Sequence, residues 1–217
     1  MTNFINNALS ETIAEHITHQ IVRGELKPGD KLVEKEYAEE YGTSRSPVRE
    51  AIYLLTIEGL VERIPRKGAV VKEYTHSEIN DLLEVRNMLE KMAMQRIKIH
   101  GTDQKVLQEM KKLLMEMKFV EDVTTYTQLN HSFHMCLIKM SKSKTIMNVY
   151  SRLGWPLLRI QSLSFARKGN IEKSIAEHDK IVKLLAEQDM KGLSILLSKH
   201  NEDVIKSIEE WFNDNMK

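Results

Sequence analysis

Apolar residues recur at helical spacing along the first sixty residues. The first such stripe spans residues 8–24 and repeats every fourth position, which is typical of one face of a helix: Leu9, Ile13, Ile17 and Ile21. A short helix is predicted over about 34–41. A third helix follows, with Ser46 as its N-cap and Pro47 at its first helical position. Two β-prone segments around 60–64 and 69–72 then predict a hairpin.

The remaining chain shows only helical periodicity with short connections, which places consecutive helices as antiparallel neighbours. The predicted helices cover about 76–98, 103–119, 124–140, 144–166, 170–187 and 190–212. A capping box of Thr75 and Glu78 opens this region, and Pro156 predicts a kink in the fourth helix. We therefore expect a mainly α protein with two domains. Residues 1–74 form a winged helix-turn-helix with a small β-hairpin, and residues 75–217 form an all-α antiparallel bundle.

Composition excludes several classes of protein. Among 217 residues, 32 are Lys or Arg and 31 are Asp or Glu, so the net charge of +1 excludes a histone-like coating protein. The single cysteine excludes an intrachain disulfide framework and a cysteine-based zinc finger. The chain has no apolar run long enough to span a membrane and no secretory signal, so we expect a cytoplasmic protein without a membrane partner.

The third helix and the hairpin tip carry the groups expected to contact double-stranded DNA. A recognition helix presents its N-terminal residues to the major groove, where arginine reads guanine and hydroxyl groups reach phosphates. The candidate contacts are Lys35, Ser44, Arg45, Ser46, Arg49, Arg66, Lys67 and Gly68. Residues 1–74 carry a net charge of −2, however, so a protein-interaction module is the alternative to DNA binding.

The same motifs resemble a known family. The run from Tyr41 to Ala51, then Glu58-Gly59-Leu60-Val61 and Arg66-Lys67-Gly68-Ala69-Val70-Val71, is similar to the DNA-binding domain of GntR-family bacterial transcription regulators. The resemblance implies a homodimer on a short palindromic operator, with contacts from Lys35, Ser44, Arg45, Ser46, Arg49 and Gly68. One departure is Val33, which stands where relatives usually place a serine N-cap. Such a cap contributes about 1 kcal/mol to helix stability.

Three histidines interrupt apolar stripes in the second domain. His134, His178 and His200 lie on three separate predicted helices, each at a position that faces the bundle interior. Buried imidazoles need partners, which are either hydrogen-bonding groups or one shared metal ion, zinc or nickel by ligand chemistry. Arg86 interrupts another stripe, and a buried guanidinium requires a carboxylate such as Glu90.

The helical domain resembles the FCD effector domain of the FadR-type subgroup. Many such domains hold a metal through an aspartate and a histidine one turn apart and two further histidines, which correspond here to Asn130, His134, His178 and His200. Asn130 departs from the pattern because an amide is a neutral and weaker ligand. The resemblance implies a sensor for a small organic or sugar acid, with Arg86 as the effector-binding residue.

The leading hypothesis is an effector-responsive transcription regulator, a repressor rather than an enzyme. One alternative is an operator-binding protein whose histidines and Asn130 contact the effector without metal. Another is a three-histidine metallohydrolase. The sequence lacks an HExxH motif, and Glu177, beside His178, is expected to point to another face and so supply no general base.

Overall fold

The computed structural model describes the backbone of residues 2–215 and the side chains of residues 8–214. The chain divides between Tyr74 and Thr75 into two compact units. Each unit has its own arrangement of helices and its own buried core.

The first unit is the winged helix-turn-helix that the sequence predicts. Its elements in chain order are α1 (Thr2–Val22), β1 (Lys31–Leu32), α2 (Glu34–Glu40), α3 (Arg45–Ile57), β2 (Val61–Ile64) and β3 (Gly68–Val71). The three strands form an antiparallel sheet in the order β1-β3-β2. The sequence did not predict β1, because a strand of two residues is too short to show alternation.

The core of the first unit forms where α1 packs on α3. Its fully buried apolar side chains are Ile13, Ile17 and Ile21 on α1 and Val48, Ile52 and Leu55 on α3. The predicted N-cap at Ser46 is wrong, because α3 begins at Arg45 and Ser44 is its N-cap. Pro47 is therefore the third helical residue, where its missing N–H still requires no partner within the helix.

Helices are the only regular elements among the described residues of the second unit. Its elements are α4 (His76–His100), α5 (Gln104–Met117), α6 (Val123–Met140), α7 (Lys144–Arg152), α8 (Gly154–Phe165), α9 (Asn170–Ala186) and α10 (Met190–Asn215). The predicted capping box is present, since Thr75 Oγ1 accepts from the Glu78 N–H and the Glu78 carboxylate accepts from the Thr75 N–H.

The predicted single helix over 144–166 is wrong. Two helices replace it, and Leu153 is both the C-cap of α7 and the N-cap of α8. Pro156 consequently lies in the first turn of α8 rather than in a helix interior. It interrupts no hydrogen bond there, and the break precedes it instead of forming a kink around it.

Apolar side chains from α4, α5, α6, α8, α9 and α10 form the largest core cluster of the second unit. Polar groups on α4, α6, α9 and α10 are also buried within this unit. In the described part of the chain, no helix combines the length and the apolar character required to cross a bilayer.

Candidate functional site

The predicted DNA contacts of the helix-turn-helix lie on the surface. Ser44, Arg45, Ser46 and Arg49 are exposed at the start of α3, while Pro47 and Val48 between them are buried. This alternation leaves both guanidinium groups outside the core, one helical turn apart.

Acidic residues of α2 contact two of the predicted cations. The Arg49 Nε donates to Glu34 Oε2 at 2.7 Å, although the arginine side chain remains 60% exposed. Lys35, at the start of α2, lies 3.5 Å from Glu39. Only the Nε of Arg49 makes this contact, and most of its side chain stays open to solvent.

The hairpin tip is a tight turn with an unusual residue at its bend. The Lys67 N–H donates to the Ile64 carbonyl at 3.1 Å, and Pro65 and Arg66 are the central residues of the turn. Arg66 has φ +67°, a left-handed conformation that in such turns favours glycine. Gly68 follows with φ +90°. All four residues from Pro65 to Gly68 are exposed, so the turn holds an exposed arginine at a central position despite the conformational cost.

Three helices of the second unit bring the histidines together. His134 on α6, His178 on α9 and His200 on α10 are all buried, and each offers a ring nitrogen within 4.8 Å of the other two. The Nε2 atoms of His134 and His178 are 3.3 Å apart. Two nitrogens that ligate the same tetrahedral zinc ion stand about 3.4 Å apart, given zinc–nitrogen distances of about 2.0–2.1 Å.

Two carboxylates lie beside ring nitrogens of the imidazoles. The Nδ1 of His134 lies 3.0 Å from Glu90 Oε1, and the Nδ1 of His200 lies 2.5 Å from Glu177 Oε2. A proton on Nδ1 that faces a carboxylate leaves Nε2 with a free lone pair, which is the arrangement found around metal-ligating histidines. The expectation that Glu177 points away from the cluster is wrong, because α10 packs on α9 and places His200 against Glu177.

Burial keeps the imidazoles of His134 and His178 in the neutral form that binds metals. Desolvation, assisted by the nearby Arg86, lowers the pKa of His134 to about 3. Desolvation also lowers the pKa of His178 well below its usual value. Burial alone would raise the pKa of Glu90, but Arg86 and His134 hold it well below its ordinary value. The three histidines and the two carboxylates beside them therefore fit a divalent metal ion.

Glu90 is the centre of a buried hydrogen-bond network. Its Oε1 accepts from Arg86 Nε at 3.0 Å and from the Tyr150 hydroxyl at 3.1 Å. Its Oε2 accepts from Asn201 Nδ2 at 2.9 Å. Arg86 is 1% exposed and thus has the carboxylate partner that the sequence required.

Five polar side-chain atoms of the histidine cluster and the Glu90 network have no hydrogen-bond partner among the described residues. They are Arg86 Nη2, Asn130 Oδ1, His134 Nδ1, His178 Nδ1 and Asn201 Oδ1. Of these, Arg86 Nη2 is a donor and Asn130 Oδ1 is an acceptor. Asn130 lies one turn before His134, and its Nδ2 donates to Gln161 Oε1 at 3.3 Å. The amide oxygen is thereby left available to a ligand, as is one nitrogen of the guanidinium.

Comparison with known proteins identifies both units. The model of bacterial regulatory proteins of the gntR family matches residues 9–71, and the FCD domain model matches residues 81–203. The chain belongs to the GntR family of bacterial transcription regulators and carries an FCD domain. This GntR-family protein is a DNA-binding regulator rather than an enzyme, which removes the metallohydrolase hypothesis.

Relatives of this GntR-family protein are similar over most of their length. The gluconate operon transcriptional repressor of Bacillus licheniformis is 25% identical over 213 residues, covering 94% of this chain and 87% of the relative. The uncharacterized HTH-type transcriptional regulator YdhC of Bacillus subtilis is 28% identical over 165 residues, covering 74% of this chain and 73% of the relative. The crystal structure of a putative GntR regulator from Rhodococcus sp. RHA1 has the same fold. Its TM-score is 0.79 at 22% identity, with 93% of this chain and 97% of that chain covered.

Proposed function

We propose that this GntR-family regulator is a homodimeric repressor whose affinity for a short palindromic operator changes when a small organic or sugar acid binds its helical unit. The name of the Bacillus licheniformis relative supports both repression and a sugar-acid signal. In this proposal, binding of the acid changes the populations of dimer conformations that differ in operator affinity.

The DNA-contacting residues divide into those that contact bases and those that contact the backbone. Arg45 and Arg49 enter the major groove at the front of α3 and contact guanine edges. Lys35, Ser44 and Ser46 contact phosphates beside them. At the hairpin tip, Arg66 and Lys67 contact the minor groove or its phosphates, and Gly68 permits close approach.

The helical unit holds a divalent ion, zinc or nickel, through His134, His178 and His200, with the Asn130 amide oxygen as a weaker fourth ligand. The observation that carries this proposal is the convergence of three buried imidazoles, two of which lie beside carboxylates. The ion supplies a Lewis-acid site for an anionic oxygen when it is bound.

The charges around the cluster link the metal to the effector. Without an ion, the carboxylates of Glu90 and Glu177 outnumber the single guanidinium of Arg86, so the region carries one net negative charge and disfavours an anion. A divalent cation reverses that to one net positive charge, which one carboxylate neutralises. Arg86 Nη2 then offers that carboxylate a hydrogen-bond donor.

Metal removal and effector binding test this proposal together. We expect freshly purified protein to contain about one zinc or nickel per chain, and chelation to lower the melting temperature. A stabilisation of about 2.7 kcal/mol, expected when the metal is present at 100 times its dissociation constant, corresponds to about 5–10 °C. Gluconate is expected to stabilise metal-loaded protein and alter operator affinity, whereas neutral glucose should do neither.

A matched pair of variants locates the effect. His178→Ala removes one ligand and is expected to abolish the response to chelator, whereas His100→Ala, at the exposed end of α4, leaves it intact. If purified protein contains no metal and chelator leaves its melting temperature unchanged, the metal-free alternative is correct. If a panel of small carboxylates has no effect on operator binding in either state, the effector class is wrong.

A further inference from the structure

A polar pocket between α9 and α10 runs from the surface of the second unit to the histidine cluster. Charged and hydroxyl groups of both helices line it, together with the end of α8. Those that carry its chemistry are Lys173, Ser174 and Glu177 on α9 and His200 and Asp203 on α10. Because His200 is one of the three clustered imidazoles, the pocket leads to the predicted metal ligands.

The side chains along this pocket become steadily more buried toward the cluster. The exposed fraction is 51% for Lys173, 22% for Asp203, 13% for Glu177 and 3% for His200. An ion that enters from solvent therefore meets one cation, then two carboxylates and then an imidazole. Carboxylate oxygens suit a cation that still holds water, and imidazole nitrogens suit zinc and nickel, so this order allows water to be exchanged stepwise for protein ligands.

An ion pair closes the outer end of the pocket. Lys173 Nζ donates to Asp203 Oδ2 at 2.7 Å and so joins α9 to α10. Lys173 also lies one helical turn before Glu177, so its ammonium group adds positive charge at the entrance. Coulomb repulsion then slows the approach of a divalent cation. An ion pair this exposed contributes little to stability, however, so it opens readily.

Ser174 gives an independent indication that the pocket takes a ligand. Its side chain is 4% exposed, and its Oγ meets no hydrogen-bond partner of good geometry among the described residues. A buried hydroxyl group without a partner is uncommon in folded proteins. Ser174 lies between Lys173 and Glu177 along α9 and lines the same pocket, so its oxygen is available to a hydrated ion there.

A second pocket lies between α4 and α10, but no histidine among the described residues lines it. The groups that do line it include the carboxylate of Glu90 and the amide of Asn201. That carboxylate already accepts from Arg86, Tyr150 and Asn201, and the buried guanidinium beside it repels a cation. The pocket between α9 and α10 is therefore the more favourable route for a metal ion.

We propose that the pocket between α9 and α10 is the route by which a divalent metal ion reaches and leaves the histidine cluster. Asp203 and Glu177 are the carboxylates that receive the ion, and the Lys173–Asp203 pair is the barrier at the entrance. The inference rests on the metal site in the proposed function and adds how that site is loaded. It gives the buried site an exchange rate that the three imidazoles alone do not determine.

The rates of metal exchange test the route. Metal-free full-length chain is mixed with cobalt(II), whose visible absorption reports coordination by the imidazoles, and a chelator then measures release. Lys173→Met removes the barrier and is expected to raise both rates about 10-fold, while the dissociation constant changes by less than about threefold. A barrier affects both directions of exchange, whereas a ligand affects the affinity.

The matched control breaks an equally short ion pair elsewhere in the second unit. Lys139 Nζ lies 2.6 Å from Glu109 Oε1 and joins α6 to α5, and both side chains are exposed. Lys139→Met also replaces an exposed lysine by methionine, and it is expected to leave both rates within about twofold of the parent.

A second pair of variants fills the two pockets. Ser174→Leu narrows the pocket between α9 and α10 and is expected to slow uptake and release at least about 10-fold, because a close-packed route opens only when its walls move. Ser198→Leu narrows the pocket between α4 and α10 and is expected to leave both rates unchanged. Helical circular dichroism checks that each variant is folded, and the surface variant Lys173→Met does not depend on core repacking.

The outcomes separate this route from the metal site itself. A parent chain that binds no cobalt overturns both. A parent chain that binds cobalt at rates that neither Lys173→Met nor Ser174→Leu changes overturns the route alone. Slower exchange in Ser198→Leu but not in Ser174→Leu assigns entry to the pocket between α4 and α10, and so overturns the proposal. A dissociation constant that changes in Lys173→Met as much as the uptake rate shows an effect on affinity, which overturns the barrier.

Discussion

The DNA-binding unit holds its predicted DNA contacts on the surface, whereas the helical unit buries its predicted metal and effector ligands. Arg45 and Arg49 extend from α3 into solvent. In the second unit, one carboxylate, that of Glu90, contacts four other side chains: Arg86, His134, Tyr150 and Asn201. All five residues are buried. Substitutions in the first unit can therefore change binding without changing stability, because an exposed cation contributes little to the free energy of folding. In the second unit the two effects are coupled, because removing one partner of a buried ion pair strongly destabilises the protein.

The largest expected effect is on the buried side of this comparison. Glu90→Gln leaves the Arg86 charge in the core without its counterion, so we expect a loss of about 3–5 kcal/mol in the free energy of unfolding. Urea unfolding of metal-free protein, followed by helical circular dichroism, measures it. A substitution that costs under about 1 kcal/mol would contradict a coupled network.

The control for Glu90 is a glutamate on a helix surface. Glu187, at the end of α9, forms an exposed pair with Lys183 at 3.9 Å. Glu187→Gln is therefore expected to change the unfolding free energy by less than about 0.5 kcal/mol.

The exposed side of the comparison predicts a loss of binding without a loss of stability. Arg45→Ala is expected to weaken operator binding by about 1–3 kcal/mol, or about 5- to 150-fold, because a bidentate contact to guanine is lost. Arg49→Ala is expected to cost less, because Glu34, which contacts Arg49 at 2.7 Å in the free chain, competes with DNA for its guanidinium. Fluorescence anisotropy with labelled operator at fixed salt measures both.

The control for the two arginines is Arg23, which is exposed beyond the end of α1 and lies 3.8 Å from Glu25. Arg23→Ala is expected to leave operator affinity within about twofold, as a charge without a base contact. Equal losses for Arg23 and Arg45 would show that binding depends on overall charge and not on α3.

The sequence predicted the secondary-structure elements and the buried faces of the helices better than it predicted which side chains contact one another. Helical periodicity was sufficient to place His134, His178 and His200 toward the bundle interior, because a period of 3.6 residues fixes which positions share a face. It did not show that Glu177, one residue before His178, contacts His200. That contact depends on how α9 and α10 are rotated against each other, which no single helix encodes.

The same limit explains the errors in the first unit and around Pro156. The Arg49–Glu34 contact depends on the placement of α2 beside α3, and sequence spacing does not report it. The break at Leu153 was missed because Pro156 is compatible both with a kinked helix and with the first turn of a new one. The left-handed Arg66 was not visible from composition, because arginine gives no signal for positive φ.

Substitution of Arg66 is expected to have the smallest effect, and it should change stability and operator affinity in opposite directions. Glycine adopts φ +67° without the steric strain that a Cβ atom causes. We expect the strain energy that is relieved in the folded state to exceed the entropic cost of ordering a glycine on folding. Arg66→Gly is therefore expected to raise the unfolding free energy by up to about 1 kcal/mol, while operator affinity falls a few-fold because one cation is lost. Lys67 is the matched control, since it lies outside the left-handed region. Lys67→Gly should lower the unfolding free energy by about 0.5–1 kcal/mol. It should also lower operator affinity. If urea unfolding shows that Arg66→Gly also loses stability, the arginine side chain holds the turn together, and its exposed position does not reflect selection for DNA contact.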